Sequence, residues 1–169
     1  NGFSKQIDQL VRKILQTKSY VGVMAIDIKE LTKINDQFGR AEGDRTVITV
    51  ARILKDIFRN GYNICLGNGE MLTILLSRGD VEAELQRGFT RLMEQIEDYN
   101  RDSGKGYSLD VYHGIEVGMP PNADELERLV NTAVSRKNGN KVSEKQLLQD
   151  ADLTEEEKIA MCHAVTNAG

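Results

Sequence analysis

Apolar residues recur along the chain in two different rhythms. Over residues 4–17, Ile7, Leu10, Val11, Ile14 and Leu15 form an i, i+3, i+4, i+7 stripe, which predicts an amphipathic helix. The run YVGVMAIDI at 20–28 is apolar up to Asp27 and predicts a buried strand with a carboxylate at its C-terminal end. KELTKIND at 29–36 predicts a short helix, and Phe38-Gly39 and Gly43 then break the pattern. From Asp44 a second helix places Val47, Val50, Leu54 and Phe58 on one face and ends at Asn60-Gly61. YNICLG and EMLTILL flank Asn68-Gly69, the commonest two-residue hairpin turn, because both positions tolerate positive φ. Residues 80–100 predict a long helix with Leu85, Phe89, Leu92, Met93 and Ile96 inward. RDSGKG at 101–106 predicts a loop, YSLDVYHGIEVG at 107–118 a strand stopped by Pro120-Pro121, and residues 123–137 a further helix. Ser143 with Gln146, and Thr154 with Glu157, have capping-box spacing and predict two short helices in the tail. The expected division is a main domain over 1–142 and a C-terminal helical tail or connector over 143–169.

This order interleaves helices with a central sheet that contains at least one hairpin, so the fold class is mixed α/β (α+β) and not a doubly wound dinucleotide-binding sheet. Gly67-x-Gly69 lacks the third glycine of a dinucleotide fingerprint, and a strand follows where a helix is required.

A chain of 169 residues suits one domain able to bury a core without staples. Its net charge of -4 argues against a binder of nucleic-acid backbones or of anionic membrane surfaces. Cys65 and Cys162 have no metal-ligand spacing; with Cys65 in a strand expected to be buried, both read as reduced structural thiols of a cytoplasmic protein. No apolar run is long enough to span a bilayer. No leader is visible, and Asn1 is not a native start, so targeting upstream stays open.

Four polar features recur at element ends: Asp27 closing the first strand, Asn35-Asp36 closing the short helix, Gly43-Asp44 opening the next, and Glu70 leaving the hairpin. Each has an ordinary alternative. Asp27 and Asp44 suit helix N-caps, Asn35 suits a turn, and Arg136-Lys137 suits a solvated helix end complementing the macrodipole. His113 reads as a satisfied strand residue and His163 as part of a tail helix; neither has partners at catalytic or metal spacing.

DIKELTKINDQFGRAEGD at 27–44, followed at the hairpin by NGEML, resembles the GGDEF domain of diguanylate cyclases. That family's pattern is Asp-x-Asp-x-Phe-Lys-x-x-Asn-Asp, then Gly-Asp, then a Gly-Gly-Asp/Glu-Glu-Phe turn. HGIEVG and NTAVSRKNGNKV resemble its later strand and final helix, and the likeness spans roughly residues 1–142. The resemblance implies a nucleotidyl-cyclase palm-like fold with a mostly antiparallel sheet. It implies two such domains facing each other, each holding GTP with Mg²⁺, to form cyclic di-GMP. Carried over residue by residue, it implies metal ligands Asp27, Ile28 (backbone carbonyl) and Glu70. It implies nucleotide contacts from Asn35, Asp44, Asn68, Gly69 and Lys137, with Asn35 and Asp44 reading guanine. A carboxylate matches guanine's adjacent donors, and an amide can donate or accept.

The departures from the pattern are specific. Asn68 stands for the first glycine, putting a side chain where the family brings backbone to the ligand. Met71 stands for the second acidic residue, so no catalytic residue is expected there: a thioether neither accepts a proton nor suits Mg²⁺, and losing a general base costs about 10²–10⁴ in rate. Leu72 replaces Phe, Lys29 the second Asp, and Thr32 a phosphate-assisting lysine, while Asn140 falls near the terminal arginine. The family's inhibitory Arg-x-x-Asp is reduced to Arg59, with Tyr62 unable to accept its fork, so no product inhibition is expected there. The leading expectation is a degenerate, catalytically inactive GGDEF domain that binds GTP and regulates an attached EAL-type or sensor domain, and that can form a homodimer. A purely structural dimerisation module and a slow cyclase are the alternatives.

Overall fold

The computed structural model describes residues 2–151. Its elements run α1 (Gly2–Thr17), β1 (Tyr20–Ile28), α2 (Leu31–Phe38), α3 (Arg40–Ile57), β2 (Tyr62–Gly67), β3 (Glu70–Ser77), α4 (Val81–Asp102), β4 (Val111–Gly118) and α5 (Ala123–Ala151). The order is the one expected. The four strands form a sheet in the order β2-β3-β1-β4, and every neighbouring pair is antiparallel.

The side-chain alternation of β1 divides the core in two. Met24, Ile26 and Ile28 face one way, against Val50 and Leu54 of α3 and Leu85, Leu92 and Ile96 of α4. Val21, Val23 and Ala25 face the other, against Leu10 and Ile14 of α1 and Leu126, Val130 and Ala133 of α5. The central strand is thus covered on both faces, which explains its unbroken apolar run. At Gly114 on β4, α5 lies close against the sheet: a Cβ there would collide with the Ala133 carbonyl and the Lys137 amide. This close approach lets α5 project Lys137 across β4 towards the middle of the sheet.

Several expected boundaries move. The strand expected over 107–118 begins only at Val111, because Asn100 binds both the N–H and the carbonyl of Leu109, and the Tyr107 hydroxyl donates to Glu42. These bonds divert the segment's polar groups from the sheet ladder. The second long helix begins at Arg40, so Gly43-Asp44 lie within it rather than opening it. The helix expected to stop at 137 runs on through Asn138-Gly139, and Ser143 lies inside α5 instead of capping a new helix. A glycine in a helix interior costs about 1 kcal/mol, and ion pairs from Lys141 and Glu144 dock the segment beyond it. Cys65, expected to be buried, is exposed because β2 is an edge strand. Cys162, His163 and the Thr154 cap lie outside the described residues.

Candidate functional site

The register of β1 and β3 sets Asp27 directly opposite Glu70. Both carboxylates belong to the sheet face that α5 covers, since each lies two positions along its strand from a residue of that face, Ala25 and Leu72 respectively. Asp27 is only 5% exposed, so its charge requires partners. They come from α5: Lys141 Nζ donates to Asp27 Oδ2 at 3.2 Å, and Lys137 Nζ donates to Glu70 Oε1 at 2.7 Å while lying 4.0 Å from Asp27 Oδ2. Lys137 is 1% exposed. Asp27 is therefore a paired carboxylate and not a helix cap; the cap residue of α2 is Glu30, in the left-handed region with φ 58° and with no side-chain cap bond. Lys137 is likewise not a solvated helix end.

Beside this cluster, Lys29 pairs with Asp110 and with Glu144, each at 3.0 Å, and its ammonium lies 4.8 Å from the centre of the Tyr112 ring. Burial works against the charged form of Lys29, but Glu144 and Asp110 on balance raise its pKa. The Glu144 carboxyl is held below its ordinary range by hydrogen bonds from Tyr112 and Lys29. The Tyr112 phenol is pushed well up by burial and by Glu144. Lys29 therefore ties the end of β1 to the far part of α5.

The hairpin turn has Gly67, Asn68 and Gly69 all at positive φ, 99°, 54° and 80°, the backbone that Asn-Gly adopts with least strain. The carbonyl of Gly69 accepts from the Ile28 N–H at 3.1 Å, and a Cβ at Gly69 would press on Leu31 and Ile28. The turn is thereby pinned to the end of β1, which brings Glu70 beside Asp27.

Two depressions meet at the turn, sharing Leu31 and Asn68. A groove of about 820 Å³ is walled by Asn35, Asp36, Arg40, Asp44, Cys65 and Glu70. A smaller one, of about 180 Å³, holds Asp27, Ile28, Thr32, Tyr112, Lys141 and Lys145. Asn35 is neither a plain turn residue nor a cap. Its Oδ1 is buried without a donor among the described residues, and a Cβ at Gly43 would overlap its amide. Asp44, exposed on the second turn of α3, faces the same groove.

The structure thus gathers Asp27, Ile28, Asn35, Asp44, Asn68, Gly69 and Glu70 around two adjoining depressions, with Lys137 buried behind them and bonded to Glu70. Met71 stands apart. It is 2% exposed and packs with Ile26, Val50 and Leu54 on the other face of the sheet. Among the described residues no three His, Cys, Asp or Glu side chains form a metal-holding group; the carboxylates available are the Asp27–Glu70 pair. Arg59 lies elsewhere, beside a separate groove of about 550 Å³ that Arg87 and Arg91 of α4 also line. Tyr62 accepts from Lys13. His113 stacks on Phe89, with ring centroids 3.6 Å apart, and burial lowers its pKa.

Sequence reasoning missed Lys141, Tyr112 and Arg40. Lys141 was legible as the residue one helical turn beyond Lys137, on the same face, had the helix been carried past Gly139.

The sequence pattern of the diguanylate cyclase GGDEF domain matches residues 1–146. Over 109 residues the chain is 30% identical to the probable diguanylate cyclase DgcJ of Escherichia coli (strain K12), a match covering 63% of this chain and 21% of that protein. The chain therefore spans much less than that relative's full length. The GGDEF domain of TpbB (YfiN) from Pseudomonas aeruginosa superposes with a TM-score of 0.70 at 21% identity, covering 83% of this chain and 82% of that one. A sensory box/GGDEF family protein from Caulobacter crescentus CB15 does so with a TM-score of 0.65 at 20% identity, covering 82% and 89%. At these identities the structural likeness is one of fold.

Proposed function

The chain belongs to the GGDEF diguanylate cyclase family and is a domain of cyclic di-GMP signalling, and from that premise we propose that it is a guanine-nucleotide-binding regulatory domain that does not itself turn over GTP at a useful rate. The observation that carries this reading is the pairing of Asp27 and Glu70 with Lys141 and Lys137, next to a groove walled by Asn35 and Asp44.

The charges of that cluster suit a metal–triphosphate. Two hard carboxylate oxygens on neighbouring strands fit what Mg²⁺ takes from a protein, and the Ile28 carbonyl is the backbone ligand that the family resemblance adds. Bound there, Mg²⁺ would neutralise phosphate charge. Lys137 and Lys141 would exchange their carboxylate partners for phosphate oxygens, so that no buried charge is left alone. Asn35 and Asp44 would take the base, with the unsatisfied Asn35 amide gaining a partner. Asn68, at the junction of the two depressions, would narrow the passage between them.

The case for weak chemistry rests on charge. Of the six acidic positions in the family pattern, Asp27, Asp36, Asp44 and Glu70 are carboxylates here, whereas Lys29 and Met71 are not. Lys29 puts an ammonium, paired with Asp110 and Glu144, where the pattern has a carboxylate. The attached partner in this reading is an EAL-type or sensor domain outside the chain, with residues 143–169 as connector and the cytoplasm as the compartment. No helix among the described residues is long and apolar enough to cross a membrane.

One observation favours a slow cyclase as the second reading. Met71 faces the opposite core, so its substitution takes nothing from the Asp27–Glu70–Lys137 cluster.

Calorimetric titration with GTP and Mg²⁺, with ATP as control, tests the proposal. Saturable binding of GTP alone supports it, and absence of heat at millimolar GTP leaves a structural dimerisation module. An independent readout is alkylation of exposed Cys65, which lines the groove: in a Cys162→Ser background, GTP is expected to slow it. Formation of cyclic di-GMP above a Glu70→Ala control would instead support the slow cyclase.

A further inference from the structure

Arg40 is the first residue of α3, and Asp44 follows four residues later. Residues at this spacing share one helix face, and both line the large groove beside Asn35. Neither side chain has a hydrogen bond or ion pair among the described residues, although the neighbouring Arg45 and Glu42 pair with each other. A guanidinium and a carboxylate therefore stand adjacent and uncommitted on the wall of the groove.

Guanine presents a matching order of groups. O6 accepts, with N7 as a second acceptor beside it, and N1–H and the 2-amino group donate on the other side. We propose that Arg40 is a specificity-determining residue of this groove, donating to the O6/N7 edge of the base while Asp44 accepts from N1–H and the 2-amino group. The inference rests on the guanine-nucleotide reading above and extends it to a residue outside that reading. Adenine inverts the order: its 6-amino group would meet the guanidinium, and its N1 lone pair would meet the carboxylate. Both encounters are like against like, so the pair rejects adenine as well as selecting guanine. The planar fork of arginine matches two adjacent acceptors, which the single ammonium of lysine does not.

The test is calorimetric titration of the whole 169-residue chain, and of its Arg40→Ala and Arg40→Lys variants, with GTP and with 7-deaza-GTP, which lacks the N7 acceptor. Arg40 is exposed at a helix start, and thermal melts establish that the variants fold. The wild-type chain is expected to prefer GTP over 7-deaza-GTP. Arg40→Ala is expected to weaken GTP binding about 5- to 100-fold and to bind the two nucleotides alike. Arg40→Lys is expected to recover part of the affinity but not the preference. Unchanged affinity and preference in Arg40→Ala overturn the inference and leave the guanine-nucleotide reading standing. An equal loss for both nucleotides, with no N7 preference in the wild type, also overturns it and makes Arg40 a phosphate or structural contact. Failure of the wild-type chain to bind GTP overturns both.

Discussion

Lys141 Nζ lies 3.2 Å from Asp27 Oδ2, one helical turn beyond the Lys137 that holds Glu70 at 2.7 Å. Two residues that are 114 positions apart in the chain thus form one ion pair. The contact depends on α5 continuing through Gly139 and on Gly114 letting that helix settle onto β4. The geometry makes the carboxylates and the end of α5 a single electrostatic unit.

The pairing of Lys137 and Glu70 is unequal. The lysine side chain is 2% exposed and that of the glutamate 42%. Glu70→Ala strips a buried ammonium of its nearest partner, leaving Asp27 at 4.0 Å, and is expected to destabilise the domain by about 1–3 kcal/mol. Lys137→Met fills nearly the same volume and leaves a carboxylate that water can reach, so less than about 1 kcal/mol is expected. Urea unfolding of both variants measures the asymmetry; a costlier Lys137→Met would contradict it.

Gly43 makes room for the Asn35 amide. An alanine in a helix interior ordinarily gains about 1 kcal/mol over glycine, but Gly43→Ala is expected to gain nothing and to weaken guanine-nucleotide binding, because the amide must move. The double variant Gly43→Ala/Asn35→Ala removes the clash and should recover the stability. If the single variant melts higher than wild type with unaltered binding, Gly43 does not position Asn35.

His113 is stacked on Phe89, and burial depresses its pKa below the ordinary 6.5. The unfolded chain takes up the proton first as pH falls, so this contribution to stability is complete above pH 6.5 and is lost below it. Wild-type stability should therefore decline as the pH falls below 6.5. His113→Phe, which keeps a ring against Phe89, should flatten that decline. Parallel slopes for the two proteins would show that another group controls this window.

Glu144 joins Lys29 and Tyr112 at the far part of α5. The pair is partly exposed, so Glu144→Ala should change global stability by no more than about 1 kcal/mol. The local effect should be larger, with faster amide exchange in residues 138–147 and unchanged exchange in β1 and β3. Equal protection of that segment in both proteins would mean that other contacts dock it.

The chain's rhythm of apolar residues determined the element order, the hairpin at Asn68-Gly69 and the extent of β1, because period and turn chemistry are local properties. The order of polar motifs also carried the family likeness and singled out Asp27, Asn35, Asp44, Glu70 and Lys137. Boundaries decided by distant partners were not legible. Tyr107 and Leu109 leave the strand for Glu42 and Asn100, and α5 passes Gly139 because ion pairs beyond it dock the helix. Only the tertiary structure placed Lys141 on Asp27, turned Met71 to the opposite core and set the face of α3 that carries Arg40 and Asp44 against the groove. Those outcomes follow from strand register, helix phase and close packing between segments far apart in sequence, and local sequence encodes none of the three by itself.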